Sequence, residues 1–387
     1  MPFLGGMPMT QSSESPVREE PSGPIDGPGV LPLGDPQCPT PRSPLLPPLM
    51  ALLADATGSS YWRPWRLVGT PSWRFRHYRK LRRLARPFGI ERLRYHLRAR
   101  RFARLEKSAS LVRADARLLT KLRSKNLVFT VTAGRTGTTL LTSLLKLLPD
   151  TTALHEPEPA FEHYLRRVQR NPAAAKEFLL QYKLPAIAQY RTTNYAELSN
   201  VFAKGFLEPL LELGLTPNLV ILRRHPRLIA MSYMERYVIP ERTVYGLEFL
   251  LGPRDPGTLP LPRSHRMTDY QLIFWYALEM ERRQQAYCEL LLRHGGKLFD
   301  VTADELHDPE RFLALAETLR LIKPDLDRDS LREQLPPVLR RRHNRHIFKT
   351  VSVSNLDAQE EEVWHAVSQA VPTLRSQVEG RYATAGH

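Results

Sequence analysis

Two cysteines in 387 residues, Cys38 and Cys288, are too few for a disulfide framework and make no metal-ligand spacing, so a reducing compartment fits. Long apolar runs are missing as well. No stretch approaches the roughly 18 uninterrupted apolar residues of a spanning helix, and the nearest candidate, SPLLPPLMALLADATG, is broken by Pro47 and Pro48. The first residues lack the basic start and apolar core of a secretory signal, which makes a cytoplasmic location the expectation. Acid is in short supply: 40 Asp and Glu face 56 Lys and Arg, leaving a formal charge of +16 and a pI near 10.0. Such a balance suits an anionic partner, whether nucleic acid, a phospholipid surface or a phosphate-rich small substrate.

What is present changes abruptly along the chain. Residues 1–60 are dense in Pro, Gly and Ser, a composition that offers little to bury and reads as disordered. Residues 61–124 read as a basic helical region. Within 62–106, the sequence RFRHYRKLRRLARPFGIERLRYHLRARRFARLEK places Leu81, Leu84, Phe88, Leu93 and Leu97 at helical intervals on two helices separated by RPFG. Those helices are read either as a contact with an anionic membrane or nucleic acid, or as a solvated preface to the main domain.

From residue 125 to 387 the pattern becomes regular. Strands are expected at 127–132, 151–155, 218–223 and in KLFDVT; helices at 138–148, 159–170, 173–183, in KGFLEPLLELG, and at 268–293 and 309–321. Alternating strands and helices predict a three-layer α/β domain, a mainly parallel sheet with helices on both faces. The segment VYGLEFLLGPRDPGTLPLPRSH, within 240–266, reads as a long loop of the kind that often closes over a substrate.

Two segments carry chemistry. In TAGRTGTT, Gly134 and Gly137 let the backbone turn after a strand so that N–H groups and a helix N-terminus converge, with hydroxyls available from Thr138 and Thr139. That arrangement holds a phosphate. A nucleoside triphosphatase would need G-x-x-x-x-G-K-[ST], but Thr132 stands at the first glycine and Thr138 at the lysine. The second segment, RRHPRLIAMSY, follows strand 218–223; Arg224 at the strand's carboxyl end and Ser232 on the next helix can face the same crevice and hold a second phosphate.

Together these segments resemble the sulfotransferases that use 3′-phosphoadenosine 5′-phosphosulfate (PAPS). GRTGTTLL is similar to the family's 5′-phosphosulfate loop in its G-R-S-G-T-T-L-L form, LRRHPRLIAMS to its 3′-phosphate segment, and KLFDVTADELHDPERFLALAETLRL to its later strand, turn and closing helix. The resemblance covers about 126–325. It implies a P-loop sulfotransferase-like fold, with Gly134, Arg135, Thr136, Gly137, Thr138 and Thr139 around the 5′ group, Arg135 balancing charge on the bridging oxygen, and Arg224 and Ser232 on the 3′ phosphate. Thr136 replaces the commoner serine and keeps its hydroxyl; His225 replaces Asn or Asp. PAPS would be the co-substrate, and no metal is demanded.

Transfer of a sulfuryl group to a hydroxyl or amine needs a base for the acceptor's proton. LHEPEP supplies candidates: Glu156 is preferred as general base, with Glu158 and His155 as alternatives, while a carboxylate capping the next helix is the structural reading. Glu197, Ser199, Asn200 and Lys204 in YAELSNVFAKG form a second polar cluster, read as helix capping or acceptor contact. Arg340, Arg341 and Arg342 offer a late basic loop, and Trp275 and Tyr276 read as packing residues. The leading expectation is a PAPS-dependent sulfotransferase acting on a saccharide, lipid, peptide or small metabolite. The rival readings are a non-catalytic nucleotide- or polyanion-binding protein and a diverged P-loop kinase. The paired phosphate segments favour the first, and nucleic acid is not the favoured partner.

Overall fold

The computed structural model describes residues 116–323, 326–340 and 352–383. The Pro-rich stretch 1–60, the basic helices of 62–106 and residues 341–346 of the basic loop lie outside the described residues. Five strands, β1 (Asn126–Val131), β2 (Thr151–His155), β3 (Asn194–Leu198), β4 (Asn218–Arg223) and β5 (Leu298–Thr302), form one all-parallel sheet in the order β2–β3–β1–β4–β5. Its strand starts are held in register by asparagines. Asn126 Nδ2 donates to Asn194 Oδ1 at 3.0 Å and Asn218 Nδ2 to Asn126 Oδ1 at 2.9 Å, tying together the first residues of β3, β1 and β4.

Both faces of the sheet are apolar, as a parallel sheet requires. Leu127, Phe129, Val131, Tyr195, Leu219 and Ile221 belong to one buried cluster, and Val128, Ala153, Ala196, Val220, Leu222 and Val301 to another, so alternate residues enter opposite cores. The second cluster is completed by α2 (Thr138–Leu145), α10 (Pro309–Thr318) and α11 (Arg328–Arg340). Covering the first are α1 (Ala116–Arg123), α3 (Glu162–Arg170), α4 (Ala173–Phe178), α5 (Leu184–Ala188), α6 (Leu207–Glu212), α7 (Pro226–Arg236), α9 (Asp269–Arg293), α12 (Leu356–Ser368) and α13 (Leu374–Ala383). The chain therefore has the expected three-layer α/β architecture. Among the described residues no helix is long and apolar enough to cross a membrane.

Two expectations are corrected. NYAEL, read as part of a polar cluster before a helix, is β3, the strand between β1 and β2. Its Glu197 is fully buried, with Lys183 Nζ at 2.7 Å and the Tyr195 hydroxyl donating to it at 2.6 Å, so it is neither a cap nor an acceptor contact. Lys183 ends a π-helical turn (Leu179–Lys183) that links α4 to α5. Removing one partner strands a buried charge, so Lys183→Met is expected to cost about 3–5 kcal/mol in chemical denaturation. A loss below about 1 kcal/mol would show that Glu197 is satisfied without it.

The 240–266 segment, read as a lid, is tied down. It contains α8 (Val244–Phe249); Arg166 binds Asp255 at 2.8 Å and Leu250 O at 2.8 Å; Leu259 N donates to Glu279 at 3.0 Å, and Trp275 Nε1 donates to Leu259 O at 3.1 Å. Leu250, Leu251, Leu259 and Leu261 are buried. This segment is a wall of the domain. Trp275 packs as expected.

Candidate functional site

At the carboxyl edge of the sheet, the strand order sets Glu156 after β2, Asn200 after β3, the 132–137 loop after β1 and Arg224 after β4 side by side. The loop owes its shape to left-handed residues: φ is 78° at Gly134, 63° at Arg135 and 92° at Gly137. Buried hydroxyls brace it from within. Thr132 Oγ1 and Thr136 Oγ1 are 2.5 Å apart, and Gly134 N donates to Thr132 Oγ1 at 3.2 Å. Thr132, which departs from a nucleotide-triphosphatase loop, thus braces this one. The Tyr233 and Tyr276 hydroxyls both donate to Ala133 O at 2.8 Å, so Tyr276 supports the loop as well as packing. Gly137 has no side chain to cap α2, leaving the first N–H groups of that helix for an anion.

Arg135, Arg224 and Ser232, chosen from separate segments, meet here. Arg135 Nε donates to Ser232 Oγ at 3.0 Å, and Arg224 Nη1 donates to Arg135 O at 2.9 Å. Burial first, then the like charges of Arg236 and Arg224, push the Arg135 guanidinium down to about 10. Burial also lowers Arg224. A guanidinium disfavoured by burial and by neighbouring like charges is relieved by a bound anion. The neighbouring Arg223 has a different task. It is buried, bound to Asp300 at 2.7 Å, Glu281 at 2.8 Å and Gln284 at 2.7 Å, and anchors β4 to β5 and α9. His225 accepts from Arg227 N at 3.2 Å as the cap of α7.

The three candidate bases separate by environment. Glu158 accepts from Ala160 N at 3.1 Å and pairs with His163 at 3.0 Å; the His163 contact holds it below the usual carboxylate range, and it serves the start of α3. His155 Nε2 lies 3.0 Å from Thr138 Oγ1, and burial and Arg135 lower its pKa. Glu156 sits in the left-handed region at φ 48°, its carboxylate 3.9 Å from His155 Nδ1 and about 19 % exposed. Burial, followed by the charge of Glu162 and opposed by Lys204, pushes it up to about 8. Glu156 combines partial access with a proton affinity raised toward neutral pH, which suits a base.

In the remaining cluster, Ser199 Oγ accepts from Val201 N at 3.2 Å, a local turn contact of the expected kind. Lys204 is fully buried, its Nζ donating to Phe249 O at 2.5 Å and lying 5.1 Å from the Tyr276 ring centre, and burial drives its pKa well below the usual range. Asn200 instead faces the loop: a Cβ at Gly134 would stand 2.6 Å from its Nδ2. Sequence reasoning did not separate it from its neighbours. Glu162 was missed entirely, although it occupies the first turn of α3 only six residues beyond Glu156. Comparison with models of protein families, with curated proteins and with solved structures found no match.

Proposed function

We propose that this chain is a sulfotransferase with a P-loop sulfotransferase-like fold, moving a sulfuryl group from PAPS to a hydroxyl or amine of an acceptor. The observation that carries this reading is the meeting of Arg135, Ser232 and Arg224, which joins the loop after β1 to the segment after β4. The donor set fits a nucleotide with phosphate groups at both its 5′ and 3′ ends: backbone N–H groups and arginine on one side, arginine and a hydroxyl on the other. PAPS, when bound, supplies the sulfuryl group and a phosphate leaving group. Gly134, Thr136, Gly137, Thr138 and Thr139 shape and line the 5′ cradle, Arg135 opposes charge growing on the leaving oxygen, and Arg224 and Ser232 hold the 3′ phosphate. Glu156 takes the acceptor's proton. As in phosphoryl transfer, positioning and electrostatics supply most of the rate.

The test is thermal. 3′-Phosphoadenosine 5′-phosphate (PAP) at about 100 times its dissociation constant is expected to add about 2.7 kcal/mol of apparent stability, whereas AMP, or ATP with magnesium, adds far less at the same concentration. Arg224→Ala is expected to weaken PAP by about 10- to 100-fold and Ser232→Ala by less, because the first loses a charge-assisted contact. Equal stabilisation by AMP and PAP would remove the 3′ site, and a larger shift with ATP and magnesium would favour a kinase.

A further inference from the structure

His155 is the candidate base that touches the anion loop. Ala153 in β2 packs into the core beneath α2, and with a period of two His155 leaves the strand on that same face, under the first turn of the helix. Its ring bridges two groups. Nε2 lies 3.0 Å from Thr138 Oγ1, the hydroxyl that opens α2, and Nδ1 lies 3.9 Å from Glu156 Oε2. The side chain is 35 % exposed, so solvent protons reach it.

Thr138 has one hydroxyl hydrogen, and an anion held at the loop needs it. If Nε2 is bare, Thr138 must give that hydrogen to His155, and only its lone pairs face the anion. The neutral ring with its hydrogen on Nε2 frees Thr138, but turns a lone pair on Nδ1 toward Glu156, which must be ionised to act as a base. The imidazolium meets both demands. Without an anion, burial and the charge of Arg135 hold the ring below the usual imidazole range, opposed by a hydrogen bond to its own backbone that favours the charged form. An anion on the loop offsets the Arg135 charge and favours the imidazolium. Glu156, on the other side of the ring, is itself faced by Glu162 of α3, Glu197 of β3, Lys204 and Arg135.

Resting on the sulfotransferase reading of the same site, we infer that His155 is a positioning residue for the donor: as the 5′ group enters the loop, His155 takes a proton from solvent, gives its Nε2 hydrogen to Thr138 Oγ1, and so turns the Thr138 hydroxyl hydrogen onto the 5′ group. Its Nδ1 hydrogen then faces Glu156. Donor binding and readiness of the base are thereby linked through one ring, and the nucleotide binds tightest on the acid side. The effect lies in nucleotide affinity; with PAPS saturating, kcat/KM for the acceptor keeps the pH profile of Glu156.

NMR of isotope-labelled histidine reads the ring directly, the His155 signal being the one lost in His155→Gln. Its titration midpoint should move to higher pH when PAP is bound, with hydrogen on both ring nitrogens below it; an unchanged midpoint overturns the inference. Affinity gives an independent reading. PAP should bind the parent about tenfold more tightly than His155→Gln at about pH 6, with the advantage gone by about pH 8, while ionisation of the phosphates is common to both proteins and cancels in the ratio. A ratio that stays constant with pH leaves His155 a structural role only and overturns the inference. Thr138→Val should cut the acid-side advantage to about twofold, and Thr138→Ser should restore it, because the effect passes through the hydroxyl. A full advantage in Thr138→Val also overturns it. Inorganic pyrophosphate is titrated beside PAP. A pH-dependent advantage with pyrophosphate, and no binding of PAP, removes the sulfotransferase reading but upholds the role of His155; no such advantage with either probe removes that role.

Discussion

Glu156→Gln is expected to lower turnover by about 10²–10⁴ while PAP affinity stays within about twofold, because the amide keeps the shape but cannot take a proton. The direction of the pH dependence follows from its environment. Buried and beside Glu162, the carboxyl has its pKa pushed up to about 8, so in the parent kcat/KM should rise with pH to a plateau above that value. Stability should move the opposite way. The folded state keeps a proton that the unfolded state releases near the ordinary value of 4.5, so the parent loses stability as pH rises from there through about 8. Gln cannot ionise and escapes this loss; Glu156→Gln should therefore melt higher than the parent at alkaline pH, with the difference fading toward the acid side. Full turnover in this variant with loss in Glu158→Gln would move the base two residues along, against the helix-start contacts of Glu158.

The parts of this site legible in the sequence are those whose cause is local. NLVFTV and NLVILR are apolar runs followed by a glycine loop in one case and an Arg-x-Pro turn in the other, so β1, β4, the phosphate loop and Arg224 could be placed from neighbouring residues alone. NYAEL could not be placed that way. Its apolar content is low, and its glutamate is made tolerable by Lys183, fourteen positions upstream on a π-helical turn. One signal was available: β1, β3 and β4 each begin with asparagine, and those three side chains form the ladder that sets the register. The fixed character of the 240–266 wall was hidden for a similar reason. Arg166 and Glu279, which hold it, lie far off in the sequence, and loop composition reports only what a segment cannot bury by itself. Sequence reasoning prefers Glu156, but the physical ground for setting Glu158 aside, its contacts with Ala160 N and His163 against the Glu162 and Lys204 charges acting on Glu156, exists only once the chain is folded.

Gly134→Ala tests the cradle most severely. A Cβ at this position would lie 2.4 Å from the Tyr233 hydroxyl and 2.6 Å from Asn200 Nδ2, both held by hydrogen bonds, and the backbone there is left-handed at φ 78°. The left-handed conformation alone costs about 1–2 kcal/mol for a residue with a Cβ. The clash must additionally displace Tyr233 from Ala133 O or swing Asn200 away from the loop. We expect PAP affinity to fall by about 100-fold or more, with a lower Tm even without nucleotide. Gly137→Ala is the matched comparison: φ is 92°, but the nearest atom to an added Cβ is Leu306 Cδ1 at 3.7 Å, ordinary contact. Its loss should be limited to the conformational cost, about tenfold in affinity. Shortening Tyr233 to phenylalanine removes the closer of the two obstacles, so Gly134→Ala with Tyr233→Phe should bind PAP better than Gly134→Ala alone, although each change weakens the loop separately. If Gly134→Ala binds PAP as the parent does, the loop after β1 does not hold the 5′ phosphate, and the positive groups at Arg135 and Arg224 serve some other anion.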